Sequence, residues 1–271
     1  MREISSKEYK KVVYNILHYV KTVCEDNGVD YYIAYGTLLG AVRHRGFIPW
    51  DDDIDIIMNR DNFKKLLNVM KHCTQKRYKL LSVENSARYD LPLPKVVDTN
   101  TLLVQNGRKN NTEIGAWLDI IIVDDVPNDE CKRRKFLAKM NFFENVWEWT
   151  QYSRLSVKNA RNISEMMRFT IYKILALPGS RCWSFFLNRQ AQRYNHKDCE
   201  YFAAVAFAGG KRKAYLKSYL GIGTKLIFET DSYNAPERWD EYLTVAYGNY
   251  MELPPAEKRV SNHSFKVYWK E

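Results

Sequence analysis

Three carboxylates, Asp51, Asp53 and Asp55, stand two residues apart in the run Trp50-Asp51-Asp52-Asp53-Ile54-Asp55-Ile56-Ile57. The isoleucines favour a strand, and strand side chains alternate between faces with period two. The pattern predicts the three acids on one face, with Ile54 and Ile56 entering the core on the other. Like charges held so close repel and raise one another's pKa unless a positive charge sits among them. A hard divalent cation with oxygen ligands answers that need, Mg²⁺ first and Mn²⁺ as an alternative. The plainer reading is a solvated strand end, or an N-cap for a helix starting near Arg60. Against it, four aspartates in five positions are not the mixed charge of an ordinary surface strand. A helix-loop-helix calcium loop is excluded. Counted from Asp51, its sixth position is Ile56 rather than Gly and its twelfth is Asn62 rather than Glu.

Two further features belong with these acids. Gly36-Thr37 opens a short helical stretch, whose backbone N–H groups suit a phosphate. Asp119 lies between Leu118 and Ile120 on another strand-like run. It suits either a further metal ligand or a group that orients an attacking hydroxyl. Together these are the parts of an in-line phosphoryl transfer from a nucleotide, which rests on positioning and charge neutralisation. Arg43, His44 and Arg45 offer cations to the phosphates, or else form a solvated basic turn.

The elements that must position these residues follow from periodicity. Apolar residues from Tyr9 to Val23 recur at helical spacing, which predicts a helix over 6–27. A strand is predicted over 29–35, a short helix over 38–43, a loop over 45–49, the aspartate strand, and a helix over 61–73. Strands are predicted over 78–83, 95–98, 101–104 and 117–123. From residue 128 the pattern is helical, with interruptions, to about Arg193; Pro178-Gly179 is the clearest break. The expected class is α+β: a mixed sheet with helices, extended by a helical C-terminal half. The expected division is a catalytic core over 1–127 and a mainly helical region over 128–271.

The 271 residues suffice for one large domain or two small ones. No charge-free apolar run of about 18 residues exists, so no transmembrane helix is expected. The N-terminus lacks a signal-peptide stretch. Five cysteines lie far apart without a C-x-x-C pair, which fits a reducing cytoplasm. Of the formal charge of +10, a net +7 falls between Arg154 and Arg193, where eight basic residues face one acid, Glu165. Such a field attracts phospholipid head groups, a phosphate-rich polymer or nucleic acid. Within it Ile163, Met166, Met167, Thr170, Ile171, Ile174 and Leu175 form an apolar stripe, with Arg161, Arg168 and Lys173 off it. A helix of this kind lies in a membrane interface, or else packs its stripe on the catalytic core.

The block Tyr35-Gly36-Thr37-Leu38-Leu39-Gly40, continued by Arg45-Gly46-Phe47-Ile48-Pro49-Trp50 and the aspartates, resembles the signature of the LicD family. That family includes the fukutin-type ribitol-phosphate transferases. The likeness continues through Lys95, Asp98, Asn100-Thr101 and Trp117-Leu118-Asp119-Ile120. It returns at Tyr247-Gly248-Asn249-Tyr250, through Pro255, and at His263. The resemblance implies a nucleotidyltransferase fold like that of the DNA polymerase beta superfamily. There a Gly-Ser-type turn precedes a strand bearing Asp-x-Asp, and a later strand supplies a third acid. Here Thr37 replaces the commoner Ser, and its distance from Asp53 is longer than usual. Carried onto this chain, the resemblance implies Asp53, Asp55 and Asp119 as catalytic, metal-holding acids, with Asp51 as a further ligand candidate. It also implies Gly36, Thr37, Arg43, Lys95 and His263 around the nucleotide. The family's bacterial members move phosphocholine from CDP-choline to a sugar of teichoic acid or lipopolysaccharide and release CMP. The expected partners are therefore a CDP-alcohol donor and a glycopolymer or lipid-linked sugar acceptor. An anionic membrane surface is a further expected partner, and no nucleic acid is expected. The expected location is cytoplasmic, peripheral to the inner face of the membrane.

A choline ammonium group binds aromatic faces by cation–π attraction. Trp50, Trp117, Trp147, Trp149, Tyr152 and Trp183 are candidate walls, against the background that most aromatics are core. Two rival classes remain. A glycosyltransferase would use Asp53-x-Asp55 to hold a nucleotide-sugar through a metal, but there the motif follows a nucleotide-binding half. A non-enzymatic polyanion-binding module would use the basic segment, but no helix-turn-helix, RNP-type or zinc pattern supports it.

Overall fold

The computed structural model describes residues 1–105, 114–151, 162–210, 212–260 and 265–270. A short strand β1 (Arg2–Glu3) leads into α1 (Ser6–Asp26). The Ser5 side chain caps this helix by accepting the Glu8 N–H. Tyr9, Val12, Val13, Ile16, Leu17, Val20 and Val23 are all buried, as their spacing predicts. The strand expected over 29–35 shrinks to β2 (Tyr32–Ile33), because α2 (Tyr35–His44) starts earlier than the pattern suggests. Gly36 and Thr37 thus lie in the first helical turn. Next come β3 (Asp55–Asn59) and α3 (Arg60–His72). The α3 cap is Asn59, which accepts the Asn62 N–H at 2.8 Å; the aspartates play no part in it.

Strands β4 (Tyr78–Leu81), β5 (Lys95–Asp98), β6 (Thr101–Gln105) and β7 (Trp117–Val126) follow. Three helices succeed them: α4 (Glu130–Gln151), α5 (Ile163–Leu175) and α6 (Ser180–Ala191). Beyond them the expected helical half gives way to strands β8 (Tyr201–Ala204), β9 (Ala214–Leu216), β10 (Thr224–Phe228) and β11 (Asp231–Ala235). Helix α7 (Trp239–Tyr247) and strand β12 (Phe265–Trp269) complete the chain. These late strands are only three to five residues long, too short for a local pattern to declare them.

The main sheet is mixed, as expected. Its order is β2-β3-β7-β5-β4, with β8 and β9 continuing from β7. Strand β7 organises it. Along one side it pairs in parallel with β3; along the other its start pairs antiparallel with β5 and its end with β8. A second sheet, β1-β12-β6, joins the two chain ends, and β10-β11 form a hairpin. No helix among the described residues is long and apolar enough to cross a membrane.

Two polar devices fix the helices to the sheet. Arg60, at the start of α3, donates through Nε and Nη2 to Asp124 of β7 at 2.8 and 2.6 Å, and through Nη1 to Asn188 of α6 at 3.0 Å. Asp90 is the second. Its carbonyl accepts from Trp147 Nε1 at 3.0 Å and Ser184 Oγ at 2.5 Å, and its carboxylate accepts from Ser180 Oγ. Arg181 donates to the carbonyls of Val83, Ser86 and Tyr89. The loop just before Lys95 is thereby gripped by α4 and α6. Removing one partner of a buried, bidentate ion pair strands the other charge. Asp124→Ala is accordingly expected to cost about 3–5 kcal/mol, read as a lower urea midpoint at unchanged slope.

Candidate active site

Asp55 of β3 lies in register with Asp119 of β7, and Lys95 of β5 lies in register with Asp119 from the other side. In-register residues of neighbouring strands project to the same face. Acid, acid and ammonium therefore form a row across three strands. Lys95 Nζ donates to Asp119 Oδ1, and Trp117 Nε1 donates to Asp119 Oδ2 at 2.9 Å. The ammonium also stands 4.4 Å from the Trp117 ring centroid, where the π face attracts it. Lys95, Trp117 and Asp119 are all buried.

Asp51 and Asp53 reach this row by a different route from the one their spacing predicts. The strand begins at Asp55. Before it, Pro49 helps close a turn in which the Asp51 N–H donates to the Ile48 carbonyl at 2.9 Å. The acids at 51 and 53 thus sit on irregular chain rather than on alternate strand positions. They converge all the same, against α2. A Cβ at Gly36 would lie 2.7 Å from Asp51 Oδ2, too close for the Asp51 carboxylate to stay where it is, and 4.0 Å from Asp53 Oδ1, an ordinary contact. No side chain caps the α2 start, and the Asp51 carboxylate occupies the position beside it. Thr37 is buried, and its hydroxyl accepts the Asp55 N–H at 2.8 Å. The Asp55 carbonyl in turn accepts the Ala34 N–H at 3.1 Å. In this structure Thr37 therefore braces β3 against α2, and Gly36 makes room for Asp51.

Arg43 donates from Nη1 to the Tyr250 carbonyl at 3.0 Å, which draws the 247–254 segment over α2. Burial lowers its pKa, and the nearby Arg259 charge adds to that. Between the segment and α2 lies a cavity of 310 Å³ bordered by Gly36, Arg43, Trp50, Asp51, Tyr247 and Asn249. The loop after α2 is held from the far side. The Glu229 carboxylate accepts the Phe47 N–H at 3.0 Å, the Glu229 N–H donates to the Arg45 carbonyl at 2.8 Å, and a Cβ at Gly46 would strike Glu229 Oε1.

The electrostatics reflect crowding. Burial, then the charge and hydrogen bond of Asp53, push the Asp51 carboxyl up to about 7. Burial followed by the charges of Asp53, Asp119 and Asp51 raises Asp55 well above the carboxylate range, with Lys95 opposing. Three residues to which the sequence analysis gave no role at the site share this field. Lys10 reaches from α1 and donates to the Ile48 and Pro49 carbonyls at 3.1 Å each. Burial depresses its pKa, while Asp52 and Asp51 act in the opposite sense. Tyr9 is raised by burial and by Asp52, Asp119 and Asp53. Tyr247 is raised by burial and by Asp55, Asp51 and Asp53. Tyr9 was hidden by its place in the apolar period of α1; Tyr247 belongs to the late block that resembles the LicD family and was legible there.

The donor set is all carboxylate oxygen, and the neighbouring acids raise Asp51 and Asp55, so a hard divalent cation suits it. Among the described residues no three acidic, histidine or cysteine side chains form a ready-made cage. The fit therefore rests on donor chemistry and unrelieved repulsion. Of the proposed aromatic walls, Trp50 borders the cavity, with the Arg259 guanidinium 5.7 Å from its ring centroid. Trp117 supports Lys95 instead. Trp147 serves Asp90, Trp149 stacks on Tyr172 at 4.6 Å, and Trp183 donates to the Leu175 carbonyl at 2.7 Å. Tyr152 and His263 lie outside the described residues.

Comparison with known proteins agrees with the residue pattern. Residues 28–144 match the family model described as LicD/FKTN/FKRP, nucleotidyltransferase domain. The lipopolysaccharide cholinephosphotransferase LicD of Haemophilus influenzae is 31% identical over 280 residues, covering 99% of each chain. The ribitol 5-phosphate transferase FKRP of Homo sapiens is 53% identical over 38 residues, 14% of this chain and 8% of that protein.

The crowding has a pH signature. The folded chain holds the Asp51 proton to about pH 7, whereas an unfolded chain releases it in the ordinary carboxylate range. Stability must then fall as pH rises between those limits, because the unfolded state binds fewer protons there. In chelator-treated protein, Asp51→Asn is expected to raise Tm at pH 8, by about 2–4 °C per kcal/mol of repulsion removed, and to leave it unchanged below pH 4. Thermal denaturation at both pH values checks this; equal Tm values at pH 8 would contradict it.

Proposed function

This chain belongs to the LicD family, and on that premise we propose that it transfers phosphocholine, or a related phospho-alcohol, from a CDP-activated donor to a sugar hydroxyl. The acceptor is a cell-surface glycopolymer precursor, such as teichoic acid or lipopolysaccharide, and CMP is released. That the chain is a phosphotransferase follows from its near full-length likeness to a cholinephosphotransferase. One observation supports the finer reading most: the row Asp55, Asp119 and Lys95, with Asp53 close by and Asp51 at the edge of a cavity. A nucleotidyltransferase-type core is supported by the Asp-x-Asp pair at the start of β3 and the third acid on the parallel neighbour β7.

In the proposed reaction the sugar hydroxyl oxygen forms a bond to the phosphorus bearing choline. The bond from that phosphorus to the CMP oxygen breaks, and the hydroxyl proton leaves to a carboxylate. Asp53, Asp55 and Asp51 would hold Mg²⁺, or Mn²⁺ in its place, which when bound neutralises the diphosphate. Asp119 is oriented by Lys95 and Trp117 toward the same face, as a further ligand or the proton acceptor. Lys95 and Arg43 supply positive charge for the departing CMP. His263 is assigned to the donor phosphates by the family likeness alone. Trp50 and Tyr247, beside Asp51, offer π faces and a negative charge to a quaternary ammonium. All five cysteines are free, which suits a reducing cytoplasm.

The test is a donor screen with Mg²⁺, reading CMP release and thermal shift for CDP-choline, CDP-ribitol, CDP-glycerol and CDP-ethanolamine, with a UDP-sugar as control. A CDP-alcohol should be turned over. Asp53→Asn and Asp55→Asn should each lower turnover by about 10²-fold or more while Tm does not fall. Turnover of the UDP-sugar alone would favour the glycosyltransferase class, and variants keeping more than a few per cent of wild-type rate would remove both acids from the mechanism.

A further inference from the structure

Helix α5 presents its apolar side to water. Ile163, Met167, Ile171 and Ile174 are 73, 59, 57 and 61% exposed, and Leu177, just past the helix, is 81% exposed. At 100° per residue Ile163, Met167, Ile171 and Ile174 fall on one face, and Tyr172 falls on the opposite one. It is Tyr172 that packs inward. Its ring stacks on Trp149 at 4.6 Å and lies 6.4 Å from Phe142 of α4. Trp183 of α6 ties down the helix end by donating to the Leu175 carbonyl. The stripe therefore does not cover the catalytic core, which was the alternative left open by its sequence. Helices at the surface of soluble proteins turn such a face inward; an outward patch of this length marks a contact surface.

Charge decides the occupant. The sequence carries eight basic residues and a single acid within 154–193, and of the described residues on α5 and α4, Lys173 and Lys139 are both exposed. Phe142, itself 44% exposed, extends the apolar surface between α4 and α5. A second copy of the chain would bring two such cationic surfaces together, whereas an anionic lipid surface neutralises them. We propose that the outward face of α5, with Phe142 beside it, lies in the interface of an anionic membrane. The bulky side chains would enter the acyl boundary and the lysines would meet the head groups. The inference stands apart from the choice of donor and acceptor.

The experiment is co-sedimentation of the full-length protein with vesicles of phosphatidylcholine alone or containing phosphatidylglycerol, at low and high salt. Anionic vesicles should bind at least fivefold more protein than neutral ones at low salt. The doubly substituted variant Met167→Glu/Ile171→Glu should lose that binding at least fivefold. Both positions are exposed, so its Tm and its CMP release from a soluble donor should match wild type. Sedimentation velocity without lipid should show a monomer. Binding indifferent to vesicle charge, binding that survives the substitutions, or a dimer that they dissolve while vesicles are ignored would each overturn the proposal. Vesicle binding needs no nucleotide, so a failed donor screen would leave this outcome readable.

Discussion

Negative charge held out of water is the constraint around which this molecule is arranged. Asp51, Asp53, Asp55 and Asp119 are brought together at the start of two parallel strands, where burial and the neighbouring acids disfavour ionisation of Asp51 and Asp55. An isolated buried carboxylate would simply take up a proton. Here the surroundings supply partial compensation instead: an ammonium from β5, an indole N–H, the uncapped start of α2 and a lysine reaching over from α1. The compensation is incomplete, and the crowding that remains is what the proposed cation would relieve.

Much of this was legible in the chain. The period of α1, the cap at Ser5 and the strand character of 54–57 and 117–123 follow from local pattern. So does the grouping of Asp53, Asp55 and Asp119, because a dense acidic run beside apolar residues has few neutral explanations. What escaped was non-local. That the Thr37 hydroxyl accepts the Asp55 N–H, and that Lys95 stands in register with Asp119 and donates to it, follow only from the pairing of β3, β5 and β7. Tyr9 looks like one more core residue of α1. The strands after residue 200 were missed because each is only a few residues long, and β8 and β12 take their places from distant partners, β7 and β6. Asp51 and Asp53 illustrate the converse: the assumed strand was wrong in its geometry, yet the acids still converge, and the missing Cβ of Gly36 leaves room for Asp51.

The helices between 130 and 191 are more than an appendage. Through Asp90 and Arg181 they hold the loop that delivers Lys95 to the row, and through Asp124 and Asn188 they are pinned to β7 itself. A helical layer fixed this firmly to the sheet can present α5 outward without depending on α5 for its own stability. Stability and surface contact are thereby assigned to different helices.

The grip of Glu229 on Phe47 joins residues 182 positions apart. Ribosomal synthesis runs from the amino end, so every carboxylate emerges long before the hairpin that steadies their loop. Until that turn has been made and docked, a nascent chain carries the acids without their scaffold. Chemical competence is thus acquired late in translation, and a polypeptide ending short of the β10-β11 turn would keep the recognisable block while lacking the clasp that shapes it.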